Sequence, residues 1–92
     1  MLKTFADKDT QALANGVRVR RWINIESMAR RKLTQLAAAT TLDFLRVPPG
    51  NRLEALKGDR AGQHSIRING QFRLCFVWKN GDAYHVEITD YH

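Results

Sequence analysis

The stretch from His64 to His92 constrains this chain more than any other. It reads as three strands, residues 64–68, 72–78 and 83–89, in which apolar and polar side chains alternate. Asn69-Gly70 and Asn80-Gly81-Asp82 stand between them. A period of two broken by Asn-Gly is the pattern of consecutive hairpins.

Parity then sets the register. A two-residue Asn69-Gly70 turn would put Ile66 opposite Arg73 and mix the faces. A three-residue loop, Asn69-Gly70-Gln71, puts Ile68 opposite Phe72 and Ile66 opposite Leu74. A slip of one residue moves every side chain to the wrong face, so the three-residue loop is expected. The same reasoning over Asn80-Gly81-Asp82 pairs Trp78 with Tyr84, Phe76 with Val86 and Leu74 with Ile88. One face then carries Ile66, Ile68, Phe72, Leu74, Phe76, Trp78, Tyr84, Val86 and Ile88. The other carries Ser65, Arg67, Arg73, Cys75, Val77, His85, Glu87, Thr89 and, if the strand continues, Tyr91. Arg67 and Arg73 sit side by side on that polar face, an arrangement that destabilises a sheet. An anionic ligand would relieve it; so would solvent, or Glu87 two strands away.

The apolar face needs a cover. Residues 2–5 read as a short strand or an extended lead-in. Asp7 can cap a helix running to about Ala14, with Asn15-Gly16 as the stop. A longer helix is expected from about Ile23 to Ala39, with Ile25, Met28, Ala29, Leu33 and Leu36 as its buried stripe and Glu26 and Arg30 paired four apart. Val47-Pro48-Pro49-Gly50 breaks the helical region. Residues 51–56 read as a short extended segment, and Gly58 and Gly62 make the next loop flexible. The expected fold is α+β: two helices packed on one face of an antiparallel sheet, the polar face left open.

With 92 residues the chain reads as a single domain, residues 1–92, with one modest core. Fifteen Lys and Arg against nine Asp and Glu give a net charge of +6, which favours a polyanionic partner. Arg20, Arg21, Arg30, Arg31 and Lys32 are expected to form a basic shoulder for RNA or ribosome binding, with Arg67 on the sheet; a solvated helix face is the alternative. One cysteine, Cys75, excludes an internal disulfide and fits a cytoplasmic location. Lys3, Asp7, Lys8 and Asp9 interrupt any signal-peptide run, and no stretch is long and apolar enough to span a bilayer.

No His or Cys pair has zinc spacing, and the Walker, Gly-x-Ser-x-Gly and Cys/His nucleophile patterns are absent. No metal and no cofactor is therefore expected. Cys75 reads as a small, inert filler. What the polar face and tail do offer is Glu54, Lys57, Arg67, Arg73, Asp90, Tyr91 and His92: acids, bases and fixed cations. RNA brings its own nucleophile, the 2′-hydroxyl. Cleaving it needs a base for that hydroxyl, cations for charge growing on the phosphorane and an acid for the leaving 5′-oxygen. Arg73 and His92 are both expected at the surface, so that their removal would impair chemistry without affecting folding. The competing reading is a non-catalytic basic RNA-binding module using the same cations, although the sheet lacks the exposed aromatic pair that base stacking favours. A pure protein-interaction domain has no distinct signature here.

Leu56-Lys57-Gly58-Asp59-Arg60-Ala61-Gly62, Ser65-Ile66-Arg67-Ile68-Asn69, Phe72-Arg73-Leu74-Cys75-Phe76 and the closing Asp90-Tyr91-His92 together resemble a HigB-type toxin of the RelE superfamily. Asn51-Arg52-Leu53-Glu54-Ala55-Leu56 is similar to the GraT-like branch of those toxins. The resemblance implies a small, metal-independent, ribosome-dependent endoribonuclease that cuts mRNA in the A site. It also implies a HigA-type helix-turn-helix antitoxin, with operator DNA met only through the toxin–antitoxin complex. Carried over residue by residue, Lys57 and Arg73 would stabilise the phosphate, and Asp90, Tyr91 and His92 would match the terminal catalytic triplet. Where some relatives carry histidine this chain has Glu54, so the general base is Glu54, Asp90 or His92.

Overall fold

The computed structural model describes residues 1–90, and in it the alternating third of the chain forms three of the sheet's four strands. Its strands are β1 (Glu54–Ala55), β2 (His64–Arg67), β3 (Phe72–Lys79) and β4 (Asp82–Asp90), paired antiparallel in the order β1-β2-β3-β4. Two helices, α1 (Lys8–Ala14) and α2 (Glu26–Ala38), cover one face. The architecture is α+β, as the alternation and the two amphipathic segments require.

The first hairpin has the expected register. Ile66 pairs with Leu74 and Arg67 with Arg73. Asn69 holds the three-residue loop: its carboxamide oxygen accepts from the backbone N–H of Gln71 and of Phe72, each at 2.8 Å. This local bonding is why Asn is favoured in turns.

The second hairpin does not follow parity. Lys79 pairs with Asp82, so the turn is only Asn80-Gly81, with φ of 53° and 81°. Two positive φ values mark a type I′ turn, the tight turn that matches strand twist. Val77 faces Tyr84 and Trp78 faces Ala83, whereas Leu74 still pairs with Ile88 and Cys75 with Glu87. The two registers are reconciled by a bulge opposite Phe76, with His85 at φ 52°. Ala83 is therefore buried, and Tyr84, expected on the apolar face, pairs across the opposite one.

The bulge is supported from outside the hairpin. Residues 2–5 run parallel to β4, with bridges Leu2–Ala83 and Phe5–Val86. Thr4 accepts from His85 N–H through its hydroxyl at 2.8 Å and from Val86 N–H through its carbonyl at 3.0 Å. The outer edge of β4 is thus not left as a template for another chain.

Helix α1 starts where expected. Asp7 accepts from Thr10 N–H at 2.7 Å, and the chain leaves through Asn15 and Gly16, the latter at φ 88°. The buried Thr10 hydroxyl also accepts from Ile88 N–H at 3.2 Å and so fastens the helix to β4. Helix α2 starts later than Ile23. Residues Arg20–Ile25 form a 3₁₀ segment, kinked at Trp22. Three-residue periodicity turns Val19, Trp22 and Ile25 inward together, and all three are buried. Ala29, Leu33 and Leu36 continue the buried stripe, but Met28 is 41% exposed. They pack with Leu13, Leu45, Ile66, Leu74, Phe76, Val86 and Ile88 into one core. Each full burial of a Leu or Ile is worth about 1.5–3 kcal/mol.

The polar face is less open than expected. Ser65 and Cys75 are fully buried. Arg60 reaches across to Glu87 at 3.0 Å and to Gln63 at 3.1 Å, and Arg73 lies against Ser65. Burial pushes the Cys75 thiol pKa up, opposed in part by Thr89, Arg60 and Arg73.

Candidate active site

Residues 49–55 carry one side of the site. Pro49–Asn51 is a 3₁₀ turn and Arg52 follows in the left-handed region at φ 46°, so the extended segment expected over residues 51–56 becomes a strand only at Glu54–Ala55. The buried Asn51 is what holds this turn. Its amide donates to Gln35 Oε1 at 3.1 Å and to the Leu45 carbonyl at 3.2 Å, while its oxygen accepts from Lys32 Nζ. Those bonds bind the turn to α2 and present the Arg52 carbonyl to the sheet.

Arg73 takes that carbonyl. Its Nη2 donates to it at 2.7 Å, its Nε donates to Ser65 Oγ at 2.8 Å, and its Nη1 lies 3.8 Å from Glu54 Oε1. Only 11% of the Arg73 side chain is exposed, which corrects the expectation of a surface residue. The strain between neighbouring Arg67 and Arg73 is eased by Glu54; Glu87 is engaged with Arg60 instead. Arg67 donates through Nε to the Asn69 carbonyl at 3.1 Å. Arg52, Arg67, Asn69, Gly70 and Arg73 line a cavity of about 220 Å³, with Glu54 at Arg73. Three arginines line this polar hollow, and no carboxylate among the described residues does, which makes it a seat for an anion.

The other described candidates, Lys57 and Asp90, do not line this cavity. Lys57 is exposed and precedes the 3₁₀ turn Gly58–Arg60. Asp90 ends β4 opposite Phe72 and accepts from Gln71 Nε2 at 3.0 Å, so it stands beside the first hairpin's loop. Tyr91 and His92 lie outside the described residues.

The five shoulder cations do not share one surface. Arg21 pairs with Asp9 at 3.2 Å and stacks on Trp22 at 4.3 Å. Arg30 turns toward α1, bonding Glu26 at 3.1 Å and the Leu13 carbonyl at 3.4 Å. Arg31 and Lys32 line a groove against the first hairpin's loop, and Arg20 is exposed. Sequence reasoning missed Arg52 as a site residue. The only local sign was its place directly after Pro-Pro-Gly-Asn.

A sequence model of the family described as "RelE-like toxin of type II toxin-antitoxin system HigB" matches residues 3–92. The chain belongs to the HigB-like toxin family. Among curated HigB-like relatives, "Toxin HigB-1" of Vibrio cholerae serotype O1 is 50% identical over 60 residues, 65% of this chain and 63% of that protein. "Endoribonuclease HigB" of Proteus vulgaris is 46% identical over 41 residues, 45% of each chain. A Haemophilus influenzae protein called "Uncharacterized protein" is 36% identical over 60 residues, 65% of this chain and 59% of that one. The matches thus span under two thirds of these relatives' lengths. For a HigB-like toxin, Arg73, Glu54 and the arginine-lined cavity form the part of the expected site that the sheet brings together.

Proposed function

We propose that this HigB-like toxin is a ribosome-dependent endoribonuclease that cleaves mRNA in the A site without a metal ion. The observation that carries this reading is the cavity walled by Arg52, Arg67 and Arg73, with the Glu54 carboxylate 3.8 Å from Arg73. A phosphate in that cavity faces cations held in place before reaction, the preorganisation that favours a developing phosphorane. Glu54, the carboxylate beside Arg73, would take the proton of the 2′-hydroxyl. Lys57 adds charge from the adjoining turn, and Asp90, Tyr91 and His92 supply the leaving-group proton. The name of the Proteus relative, an endoribonuclease, supports the same reading.

Ribosomal RNA is met by Arg20 and Arg21, and the ribosome rather than the toxin positions the message. A HigA-type helix-turn-helix antitoxin neutralises the enzyme in the cytoplasm and brings it to operator DNA. The family's place in type II toxin–antitoxin systems supports such a partner.

The test is single-turnover cleavage on programmed ribosomes, with the product ends identified. A 2′,3′-cyclic phosphate and a 5′-hydroxyl are expected; a 5′-phosphate overturns the mechanism. Glu54→Gln should slow the chemical step by about 10²-fold or more if Glu54 is the base. A change of a few-fold assigns that role to Asp90 or His92.

A further inference from the structure

A second hollow adjoins the arginine cavity. It lies between α2 and the loop joining β2 to β3 and holds about 310 Å³. Arg67, Asn69 and Gly70 wall both hollows, so the two are neighbours across one short ridge. Arg31 and Lys32 line its α2 side, and among the described residues no carboxylate lines either hollow. Unlike the first hollow, it also has an apolar wall, Met28 and Ile68. Met28 was expected in the core, yet it is 41% exposed there, while the stripe residues Ala29 and Leu33 beside it are buried.

Among the described residues, the groove's lining holds three cations and no carboxylate. Burial and the neighbouring Arg31 hold the Lys32 pKa below its ordinary value. Its ammonium donates to Asn51, a neutral partner. An anion seated there would pair with Arg31, Lys32 and Arg67 together. An apolar wall beside a cationic one matches a nucleotide, which has a flat face and a phosphate. The volume falls at the lower end of sites for small ligands, about 300–1,000 Å³.

We propose that this groove is a second nucleotide site, which holds the nucleotide adjoining the cleaved bond: its phosphate on Arg31, Lys32 and Arg67, its base against Met28. The proposal rests on the nuclease reading and extends it to the message strand. Arg67, shared by both hollows, links consecutive phosphates of one strand. Arg31 and Lys32 are then positioning residues for the message and not contacts to ribosomal RNA.

The experiment uses the whole chain and a 5′-phosphorylated deoxydinucleotide, which lacks the 2′-hydroxyl and cannot be cleaved. Binding is followed by NMR at the Met28 methyl and the Gly70 amide, beside the corresponding mononucleotide. The Met28 methyl should shift with the dinucleotide and much less with the mononucleotide. Arg31→Gln with Met28→Ala should weaken dinucleotide binding several-fold, reduce the slope of log affinity against log salt by about 0.7 for the lost phosphate contact, and leave mononucleotide binding unchanged. Both side chains are exposed, and an unchanged melting temperature verifies folding. Equal dinucleotide affinity in wild type and double variant overturns the proposal. An acidic peptide that displaces the dinucleotide, and itself loses the same affinity in the double variant, also overturns it and assigns the groove to a protein partner. The two readings fail separately: absent cleavage on ribosomes with this binding intact refutes the nuclease reading alone.

Discussion

The two hairpins of this sheet share β3 and both turn at an Asn-Gly pair, yet they have different connections. Between β2 and β3 the loop is Asn69-Gly70-Gln71, closed by one asparagine side chain, and the register is regular. Between β3 and β4 the turn is Asn80-Gly81 alone, and a bulge at His85 absorbs the residue that the shorter turn leaves over. In the first case the determinants lie within four residues of the turn. In the second, one lies at Thr4, 81 residues away from His85 in sequence. A register set locally can be read from a local pattern; one set by a distant strand cannot. The first hairpin is also the one that carries Arg67 and Arg73, so the site depends on the locally specified element.

The comparison separates most widely in activity. Arg73→Ala should lower single-turnover cleavage by about 10²–10³-fold, the usual loss of a preorganised charge-stabilising group. His85→Ala, on the second hairpin, should leave the rate constant unchanged. Arg73→Ala should also be visible in denaturant unfolding, by about 1–3 kcal/mol, since it strips a partner from the buried Ser65 hydroxyl. Loss of activity with no change in stability would contradict the bonding seen around Arg73.

The same glycine substitution sharpens the contrast in stability. Gly81 has φ 81°, and a Cβ there would lie 3.4 Å from the Thr40 carbonyl oxygen. Gly81→Ala should cost about 1–2 kcal/mol. Gly70 has no positive φ, and its Cβ would meet only Arg67 Nη2 at 3.7 Å. Gly70→Ala should stay within about 0.5 kcal/mol of wild type. Equal costs in urea unfolding would remove the distinction between the two turns.

The smallest effect is a gain. His85 occupies the left-handed region without being glycine, and its side chain is exposed. His85→Gly should stabilise the chain by a few tenths of a kcal/mol, the relief of the left-handed backbone exceeding the freedom glycine gains when unfolded. A loss above about 1 kcal/mol in the same unfolding assay would show that the imidazole itself supports the bulge.

Much of the molecule was legible because its causes are local. Asp7 and Gly16 bound α1 as capping chemistry requires, and the alternation from Ser65 to Leu74 assigned the sheet faces. Other features rest on long-range contacts. Trp22 was not marked for the core, because a 3₁₀ turn and not an α-helix buries it. Arg73 looked like a surface cation, because the groups covering it come from Arg52, Glu54 and Ser65. Arg52 was invisible as a site residue, since its left-handed backbone follows a turn that buried Asn51 fastens to α2. Cys75 was read as inert filler, and it is a free, fully buried thiol.

The strap formed by residues 2–5 along β4 has a consequence for the order in which the molecule is made. These residues leave the translating ribosome ahead of their partners from Ala83 to Val86, with about eighty residues of chain between them. At about 5–20 residues per second, roughly 4–16 s pass between the two. Throughout that interval the leading segment has no strand to pair with, and contacts so distant in sequence are slow to close once both sides exist. The strap is therefore made well before the strand it pairs with, and it is among the last parts of the fold to find its place.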